Sequence, residues 1–336
     1  MTTAAIGSAG GGSIGTPARG GGRRRRRRDE HAMVPDAEFG SYYGRPVVRA
    51  PQWEERDIAG YLFLGGLAAG SSMLAAGADA TGNAQLRRVG RLAGLAGIGV
   101  SFVALVHDLG KPLRFLHMLR VVKVTSPMSM GTWILMAYGP MAGIAAGTDV
   151  LKVFPRLGRL AGFAAAGAAP LVASYTAVLI GDTAVPTWHE AFPELPFVFV
   201  GSAAAAGAGV GLLAVPVGEA GPARRLALMG AALELTAMEK MERRMGLVGE
   251  PLHLGRPGRL LKTSKGLTAG GALLGAVAGR RSRTAAIAAG AALVAGSACT
   301  RFGVFAAGVE SARDPKYTVV PQRERLDSGK AARAER

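Results

Sequence analysis

Cysteine and charge are both scarce in this chain. Its 336 residues include a single cysteine, Cys299, and 19% of them are charged, against about 25% in an ordinary soluble domain. A disulfide framework, a cysteine-ligated cluster and a cysteine-ligated zinc site each need several thiolates, so the sequence excludes all three. Cys299 lies in an apolar run, where it is interpreted as a small buried hydrophobic residue.

Charged residues are absent altogether from four long stretches. Each stretch is as long as the ~20 apolar helical residues that cross the hydrocarbon core of a bilayer. The two soluble domains that the length alone would allow are therefore excluded, and the sequence predicts a polytopic integral membrane protein. The four stretches are 58–78, 124–148, 160–181 and 196–218.

The hydrophobic pattern predicts an all-α bundle of about eight transmembrane helices. Two of the predicted helices are weak, because 224–240 contains Glu234 and 266–279 is short. The eight segments are 58–79, 89–108, 130–150, 158–181, 195–216, 224–240, 266–279 and 284–309.

Composition divides the chain into three regions. Residues 1–56 form a polar head with six consecutive arginines, and such a segment cannot bury enough apolar surface to order itself, so we expect disorder there. Residues 57–309 form the transmembrane domain, and 310–336 form a polar C-terminal tail. Nothing near the arginines resembles a base-reading module, so we expect a lipid-facing basic tail and no nucleic-acid partner.

The positive charge is distributed unevenly between the two sides of the predicted bundle. The net charge is +17, and 28 of the 40 Lys and Arg residues fall on the side of the chain termini, against 11 in the opposite loops. Because basic residues favour the cytoplasmic side, we expect both termini in the cytoplasm and the protein in the cell membrane.

Glycines recur at four-residue spacing in several predicted helices. This spacing places them on one helix face, where neighbouring backbones can approach closely. We therefore interpret them as packing residues. The strips are Gly66 and Gly70, Gly90 and Gly94, Gly139, Gly143 and Gly147, and Gly207 and Gly211.

Histidine placement argues against haem. A bis-histidine haem needs two imidazoles that face each other within helices, and only His107 of the five histidines lies at a predicted helix end. We expect no haem and no bound metal.

Polar residues cluster at the helix ends on the side of the termini. Ionisable groups at membrane depth are costly and often functional, so a convergent site is predicted here. Two simpler interpretations stay open: Asp108 pairs with Lys111 or Arg114, and the tyrosines form an interfacial belt. The residues are Asp57, Tyr61, His107, Asp108, Ser126, Trp133, Tyr175 and Asp182.

Two adjoining motifs resemble the NrfD/polysulfide reductase membrane-subunit family. They are HDLGKPLRF at 107–115 and TSPMSMGTW at 125–133. The segments YLFLGGLA at 61–68, YTA at 175–177 and VPTW at 185–188 extend the resemblance, which covers residues 57–215.

The resemblance implies an eight-helix subunit without haem that exchanges electrons and protons with menaquinone or ubiquinone. It implies two partners, an iron–sulfur ferredoxin-like subunit and a molybdopterin-binding catalytic subunit. By the resemblance, Tyr175 matches a tyrosine at the quinone head group, and Tyr61 replaces a histidine found there in some members. Asp108 aligns with a carboxylate on a proton path, and Ser126 and Pro127 belong to the loop that closes the pocket.

The remaining candidates rest on chemistry alone. Asp57, His107 and Asp182 are predicted near the pocket from their place at the same helix ends. Glu234 and Arg301 are charged residues inside predicted helices, which suits a proton path.

Two other functions remain open. A transporter would show broken helices and a charged site in mid-membrane, for which Pro140, Pro170 and Glu234 are the relevant residues. A purely structural anchor would need no convergence of tyrosines and carboxylates.

Overall fold

A computed structural model describes residues 47–51, 53–108 and 114–334. All of these residues belong to one compact unit. The arginine run of the predicted head lies outside the described residues, as does Lys111. The backbone of Asp108 and Arg114 is described, but their side chains are not.

The described chain is helical, with no strand in these ranges. Eight helices are long, and three are short or lie at the C-terminal end. The helices are α1 (Glu55–Ala80), α2 (Ala84–Asp108), α3 (Arg114–Met118), α4 (Pro127–Leu151), α5 (Pro155–Gly181), α6 (Pro186–Glu190), α7 (Leu195–Ala214), α8 (Gly221–Met245), α9 (Gly255–Ala276), α10 (Arg283–Arg313) and α11 (Lys316–Ala334).

The predicted all-α polytopic membrane bundle is confirmed. Six helices, α1, α2, α4, α5, α7 and α10, are long and apolar enough to cross a bilayer. The helices α8 and α9 have comparable lengths of 25 and 22 residues but are more polar. The predicted segment 266–279 was too short, because α9 begins at Gly255 and carries Lys262 and Lys265 within the helix.

The long helices alternate in direction, which gives the bundle two ends. We call the end that contains Glu55 and Arg313 the terminal end, and the end that contains Ala80 and Arg283 the far end. Contacts distant in sequence define each end: Glu55 pairs with Arg256 at the terminal end, and the Asn83 amide donates to the Glu219 carbonyl at the far end.

Helices α1 and α7 form the centre of the bundle. In their apolar segments 72% of residues are buried, against 28% in α4. Their backbones touch at Gly70 and Gly207, because a Cβ on Gly70 would lie 1.8 Å from the Ala203 carbonyl oxygen and one on Gly207 would lie 2.1 Å from the Gly70 carbonyl carbon. The packing role predicted for these glycines is confirmed.

Helix α4 lies at the periphery and does not use its glycines in this way. A Cβ on Gly139, Gly143 or Gly147 would meet nothing within 4 Å in the described structure. The prediction of close backbone packing is therefore wrong for this strip. Helix α4 also stays continuous through Pro140, as α5 does through Pro170.

Candidate functional site

A mostly apolar cavity of about 60 Å³ opens at the terminal end, between α1, α2, α4 and α5. None of its described lining residues is charged. The polar side-chain groups of this lining are the hydroxyl groups of Tyr61, Tyr175 and Thr132 and the indole N–H of Trp53. The lining residues are Trp53, Ile58, Tyr61, Leu105, Met118, Met128, Gly131, Thr132, Leu135, Tyr175, Leu179 and Ile180.

Tyr175 reaches the cavity from the last third of α5. Its side chain is buried, and its hydroxyl has no hydrogen-bond partner among the described residues. Leaving a buried polar group unpaired costs about 1–3 kcal/mol, so such a hydroxyl is usually explained by a ligand or a water molecule. The Tyr175 hydroxyl is therefore the strongest polar feature of the cavity.

A glycine in α4 makes room for the Tyr175 ring. A Cβ on Gly131 would lie 2.4 Å from Cε2 and 2.6 Å from Cδ2 of Tyr175, so any larger residue would displace the ring. Gly131 lies in the motif TSPMSMGTW at 125–133, but its role beside Tyr175 was not predicted from the sequence. The glycine in this motif was the feature that could have indicated a close contact.

Tyr61 lies on the opposite wall, in the second turn of α1. It is 2% exposed, so its ring lies inside the bundle. Its backbone carbonyl accepts a hydrogen bond from Ser101 Oγ at 3.1 Å, which ties α1 to α2. The two tyrosines predicted to converge thus line one cavity.

Aromatic packing supports the wall next to Tyr61. Trp53 lines the cavity and stacks on Trp188 with ring centroids 6.0 Å apart, and Trp188 contacts Phe305 at 5.3 Å. Trp188 is fixed by its Nε1, which donates to the Val304 carbonyl at 2.8 Å. Trp53 falls within the predicted polar head, and its position at the cavity was not predicted from the sequence.

The start of α4 forms the mouth of the cavity. Ser126 is the N-cap residue, whose side chain accepts from the Ser129 backbone at 3.5 Å, and Pro127 occupies the first helical position, where proline is favoured. These two residues set where α4 begins, while Met128, one position later, lines the cavity.

The remaining predicted residues do not line this cavity. Asp57 lies next to the lining residue Ile58 in sequence, and its Oδ2 accepts a hydrogen bond from Nδ1 of exposed His107 at 3.0 Å. Asp182 follows the end of α5 and lines a separate cleft with His189. The side chain of Asp108 lies outside the described residues, so its predicted contacts stay predictions.

Glu234 lies in a second polar cluster, deep between α7, α8, α9 and α10. It is 2% exposed, and its carboxylate accepts from Thr300 Oγ1 at 2.5 Å and from Thr268 Oγ1 at 3.4 Å. Ser264 extends the cluster by its 2.6 Å contact with Thr300. Glu234 and the Tyr175 cavity are thus two distinct sites.

Arg301 joins this cluster to the centre of the bundle. It is fully buried, donates from Nη2 to the Phe199 carbonyl at 2.8 Å, and lies 3.6 Å above the Phe199 ring. Its Nε and Nη1 have no hydrogen-bond partner in the described part of the chain. Arg301 also approaches Gly66 of α1, where a Cβ would lie 2.9 Å from Nη2. Gly66 is five residues from Tyr61, about 7.5 Å along the helix axis at 1.5 Å per residue.

The surface beside the cavity mouth is apolar and basic. Leu116, Val121, Val122 and Val124 are exposed, Val124 to 77%. Arg120 and Lys123 are exposed in the same segment. Exposed apolar residues grouped with polar neighbours are typical of protein–protein contact sites.

Two carboxylates bound by one arginine brace the terminal end of the bundle at α6, α7 and α8. Arg244, at the end of α8, donates to Glu194 at 2.8 Å and to Glu190 at 3.0 Å, and also to the Glu190 carbonyl. Hydrogen bonds to these two carboxylates raise the pKa of Arg244. The pairing holds α8 against α6 and the start of α7.

Within the described residues, no group of three or more His, Cys, Asp or Glu side chains is placed to hold a metal ion. The described site is thus built from hydroxyl groups and apolar side chains.

Comparison with known proteins identifies the family. No curated protein matches the chain. The family model described as "Polysulphide reductase, NrfD" matches residues 53–229, just over half of the chain. The matched region runs from Trp53 past the end of α7 and contains Tyr61, Gly131 and Tyr175. The chain therefore belongs to the NrfD family.

Proposed function

We propose that this protein is the quinone-interacting membrane subunit of a molybdopterin and iron–sulfur oxidoreductase complex. NrfD-family proteins are, in general terms, quinone-associated membrane subunits of oxidoreductases. In the proposed complex, an iron–sulfur partner exchanges electrons with membrane quinone bound to this chain. The chain contributes the quinone pocket and the proton donors, while the partners contribute the redox centres.

The unpaired hydroxyl of Tyr175 is the observation that carries this proposal. A quinone head group is a flat apolar ring with carbonyl oxygens that accept hydrogen bonds. The cavity offers apolar walls and, at Tyr175, a buried donor without an acceptor. Pockets for such ligands are mostly apolar, with a few placed polar groups.

The cavity is expected to widen when a quinone head group enters. Met118 and Met128 lie in its lining, and Met128 is 50% exposed. Methionine side chains are flexible and repack readily, so movement of these two side chains supplies the additional space. Gly131 and Tyr175 then form the fixed back wall.

Proton supply is the second task of the subunit. Reduction of a quinone consumes two protons for two electrons, and an iron–sulfur partner supplies electrons only. Tyr61 and Tyr175, which line the cavity, are proposed to donate hydrogen bonds to the head group, and Asp108, at the end of α2, is proposed to restore their protons from the aqueous side. Glu234 is proposed as a proton-carrying carboxylate deeper in the bundle.

The surface formed by Leu116, Val121, Val122 and Val124 is proposed as the docking site of the iron–sulfur subunit. It borders the cavity through Met118, so a docked partner would place its cluster close to the quinone. Arg120 and Lys123 would attract an acidic partner face.

The alternatives fit less well. A purely structural anchor does not account for two buried tyrosines that line one cavity. A transporter is favoured by the buried Glu234 and Arg301 but would use discontinuous helices, whereas α4 and α5 continue through their prolines.

Isolation of the native complex tests the proposal. A tag on this chain should co-purify an iron–sulfur and a molybdopterin subunit, and the preparation should transfer electrons to or from a short-chain quinone. The proposal would be contradicted if the chain purified without redox partners, or if the purified complex transferred no electrons to or from quinones.

A further inference from the structure

Six charged side chains line a cavity of about 180 Å³ at the far end of the bundle, between the ends of α1, α2, α4 and α5. Four are arginines and two are aspartates, so the cavity has an excess of two positive charges. The volume corresponds to about six water molecules of ~30 Å³ each. The residues are Asp79, Arg87, Arg91, Asp149, Arg156 and Arg159.

Both aspartates take part in ion pairs, although Oδ2 of Asp149, 3.2 Å from Nη1 of Arg91, has no hydrogen-bond partner among the described residues. Asp79 is buried and pairs with Arg91 at 3.2 Å, Arg87 at 3.4 Å and Arg159 at 3.4 Å. Asp149 pairs with Arg87 at 3.3 Å and Arg91 at 3.2 Å. Among the described residues, no carboxylate lies within ion-pair distance of Arg156. The excess positive charge therefore has no acidic side chain of the described chain to balance it.

Two buried arginine nitrogens also lack acceptors. The Nε atoms of Arg87 and Arg91 have no hydrogen-bond partner in the described structure. Arg91 is only 6% exposed, so water has little access to its guanidinium group. Glycines of α5 admit the Arg91 guanidinium, since a Cβ on Gly162 would lie 2.8 Å from its Nη2. Unpaired buried donors are costly, and an anion in the cavity would offset that cost.

The start of α5 adds to the attraction for an anion. This 27-residue helix begins at Pro155, and its first turn contains no acidic residue. The preceding Phe154 has a left-handed backbone with φ of 47°. The free backbone N–H groups and the helix dipole make such an N-terminus favourable for anions, and here Arg156 and Arg159 lie in the same turn.

Exposed apolar side chains at the start of α5 favour a lipid headgroup over a free phosphate ion as the bound anion. Phe154, Leu157 and Leu160, next to Arg156 and Arg159 in sequence, are 72%, 49% and 69% exposed. A free phosphate ion would gain nothing from these side chains. Lipid acyl chains would cover them, because α5 is a membrane-spanning helix.

We propose that this arginine cluster binds the phosphate of an anionic phospholipid, whose acyl chains lie along the first turns of α5. The site lies at the opposite end of the bundle from the Tyr175 cavity, and its residues take no part in the proposed quinone chemistry. A test of the lipid site can therefore fail or succeed whether or not the proposed quinone function is correct.

Lipid-dependent thermal stability tests the site. The full-length protein, purified in uncharged detergent, is titrated with phosphatidylglycerol, with phosphatidylcholine or with inorganic phosphate. The site variant is Arg156→Gln with Arg159→Gln. The control variant is Arg280→Gln with Arg281→Gln, which removes the same charge from exposed positions at the same end.

Phosphatidylglycerol should raise the melting temperature of the wild type and the control, with little effect from phosphatidylcholine. The site variant should need about 30-fold more phosphatidylglycerol, since each basic residue contributes about 1 kcal/mol near anionic lipid and 1.4 kcal/mol is tenfold. Equal responses of the two variants would overturn the proposal. Equal stabilisation by inorganic phosphate would overturn the assignment to a lipid.

Discussion

The ring of Tyr175 occupies the space that a side chain at residue 131 would need. A Cβ on Gly131 would lie 2.4 Å from Cε2 of Tyr175. This contact joins α4 to α5 at the back of the cavity and holds the Tyr175 hydroxyl in a buried position, where it has no hydrogen-bond partner among the described residues. The pair links the packing of two membrane helices to the proposed recognition of quinone.

Replacement of Tyr175 by phenylalanine should weaken quinone binding without loss of stability. One neutral hydrogen bond contributes about 0.5–1.5 kcal/mol, so affinity should fall about 2- to 12-fold. The quinone-free protein should be as stable as the wild type or more so, because the variant removes an unpaired buried hydroxyl. Quinone-analogue titration and thermal unfolding measure the two effects.

Tyr138→Phe provides the matched control for this prediction. Tyr138 is also buried, but its hydroxyl contacts Ser72 Oγ at 2.7 Å and donates to the Ala68 carbonyl at 2.9 Å. Its loss should lower stability and leave quinone affinity unchanged. The same response in both variants would remove the support for Tyr175 as a ligand residue.

Gly131→Ala should impair quinone use by displacing the Tyr175 ring. The control is Gly139→Ala on the same helix, where a Cβ meets nothing within 4 Å. Alanine is favoured over glycine within helices by about 1 kcal/mol, so the control should be neutral or slightly stabilised. Quinone-linked electron transfer, normalised to subunit content, distinguishes them, and equal activity of the two variants would contradict the steric role of Gly131.

Glu234→Gln should slow turnover and spare quinone affinity if Glu234 carries protons. Glutamine keeps an oxygen acceptor for Thr300, whose hydroxyl lies 2.5 Å from the carboxylate, but it cannot exchange a proton. The expected loss is roughly 100-fold, the lower part of the range for a proton-transfer group. Glu239→Gln, on the exposed side of the same helix, should have no effect. Loss of stability with normal turnover per folded protein would show that Glu234 is structural.

The C-terminal helix α11 should detach under acid conditions. Glu250 accepts from Lys316 Nζ at 2.8 Å and from Tyr317 at 3.1 Å, and the hydrogen bond from Lys316 lowers the pKa of Glu250. A carboxylate with a lowered pKa stabilises the folded form above its unfolded pKa of about 4.3, and this contribution disappears as the pH falls through the folded value.

Hydrogen exchange of α11 measures this pH dependence. At pH 7, Glu250→Gln should exchange faster in α11 than the wild type. The difference should disappear as the pH falls through the lowered pKa of Glu250 in the folded protein, since the wild-type carboxylate is then protonated as well. A difference that persists at low pH would show that the ion pair does not hold α11.

The C-terminus should lie in the cytoplasm. The basic residues concentrate at the terminal end, and this bias orients membrane helices. A cytoplasm-specific reporter fused after the last residue should be active, and a periplasm-specific reporter should be silent. The reverse result would place the cavity mouth and the proposed docking surface on the other side of the membrane.

The sequence by itself determined the class of structure. Charge-free runs of membrane length and a helical pattern require a bundle, because backbone polar groups in lipid must be satisfied within helices. The hydrophobic pattern predicted about eight spans, of which six are long and apolar enough to cross a bilayer in the described structure, and the motifs at 107–115 and 125–133 were sufficient to indicate the family. Tyr61 and Tyr175 were placed at the same helix ends by the alternation of the spans.

Only the tertiary structure decided which of the predicted residues meet. Helix ends that share a membrane face can lie far apart around the bundle, so the sequence did not separate Tyr175 from Asp182. Trp53 joined the cavity through stacking on Trp188, and the glycines at 139, 143 and 147 proved to have no close neighbour. Neighbours distant in sequence decide which face of a helix is buried. A nearly uniform apolar segment has no amphipathic pattern from which the buried face could be predicted.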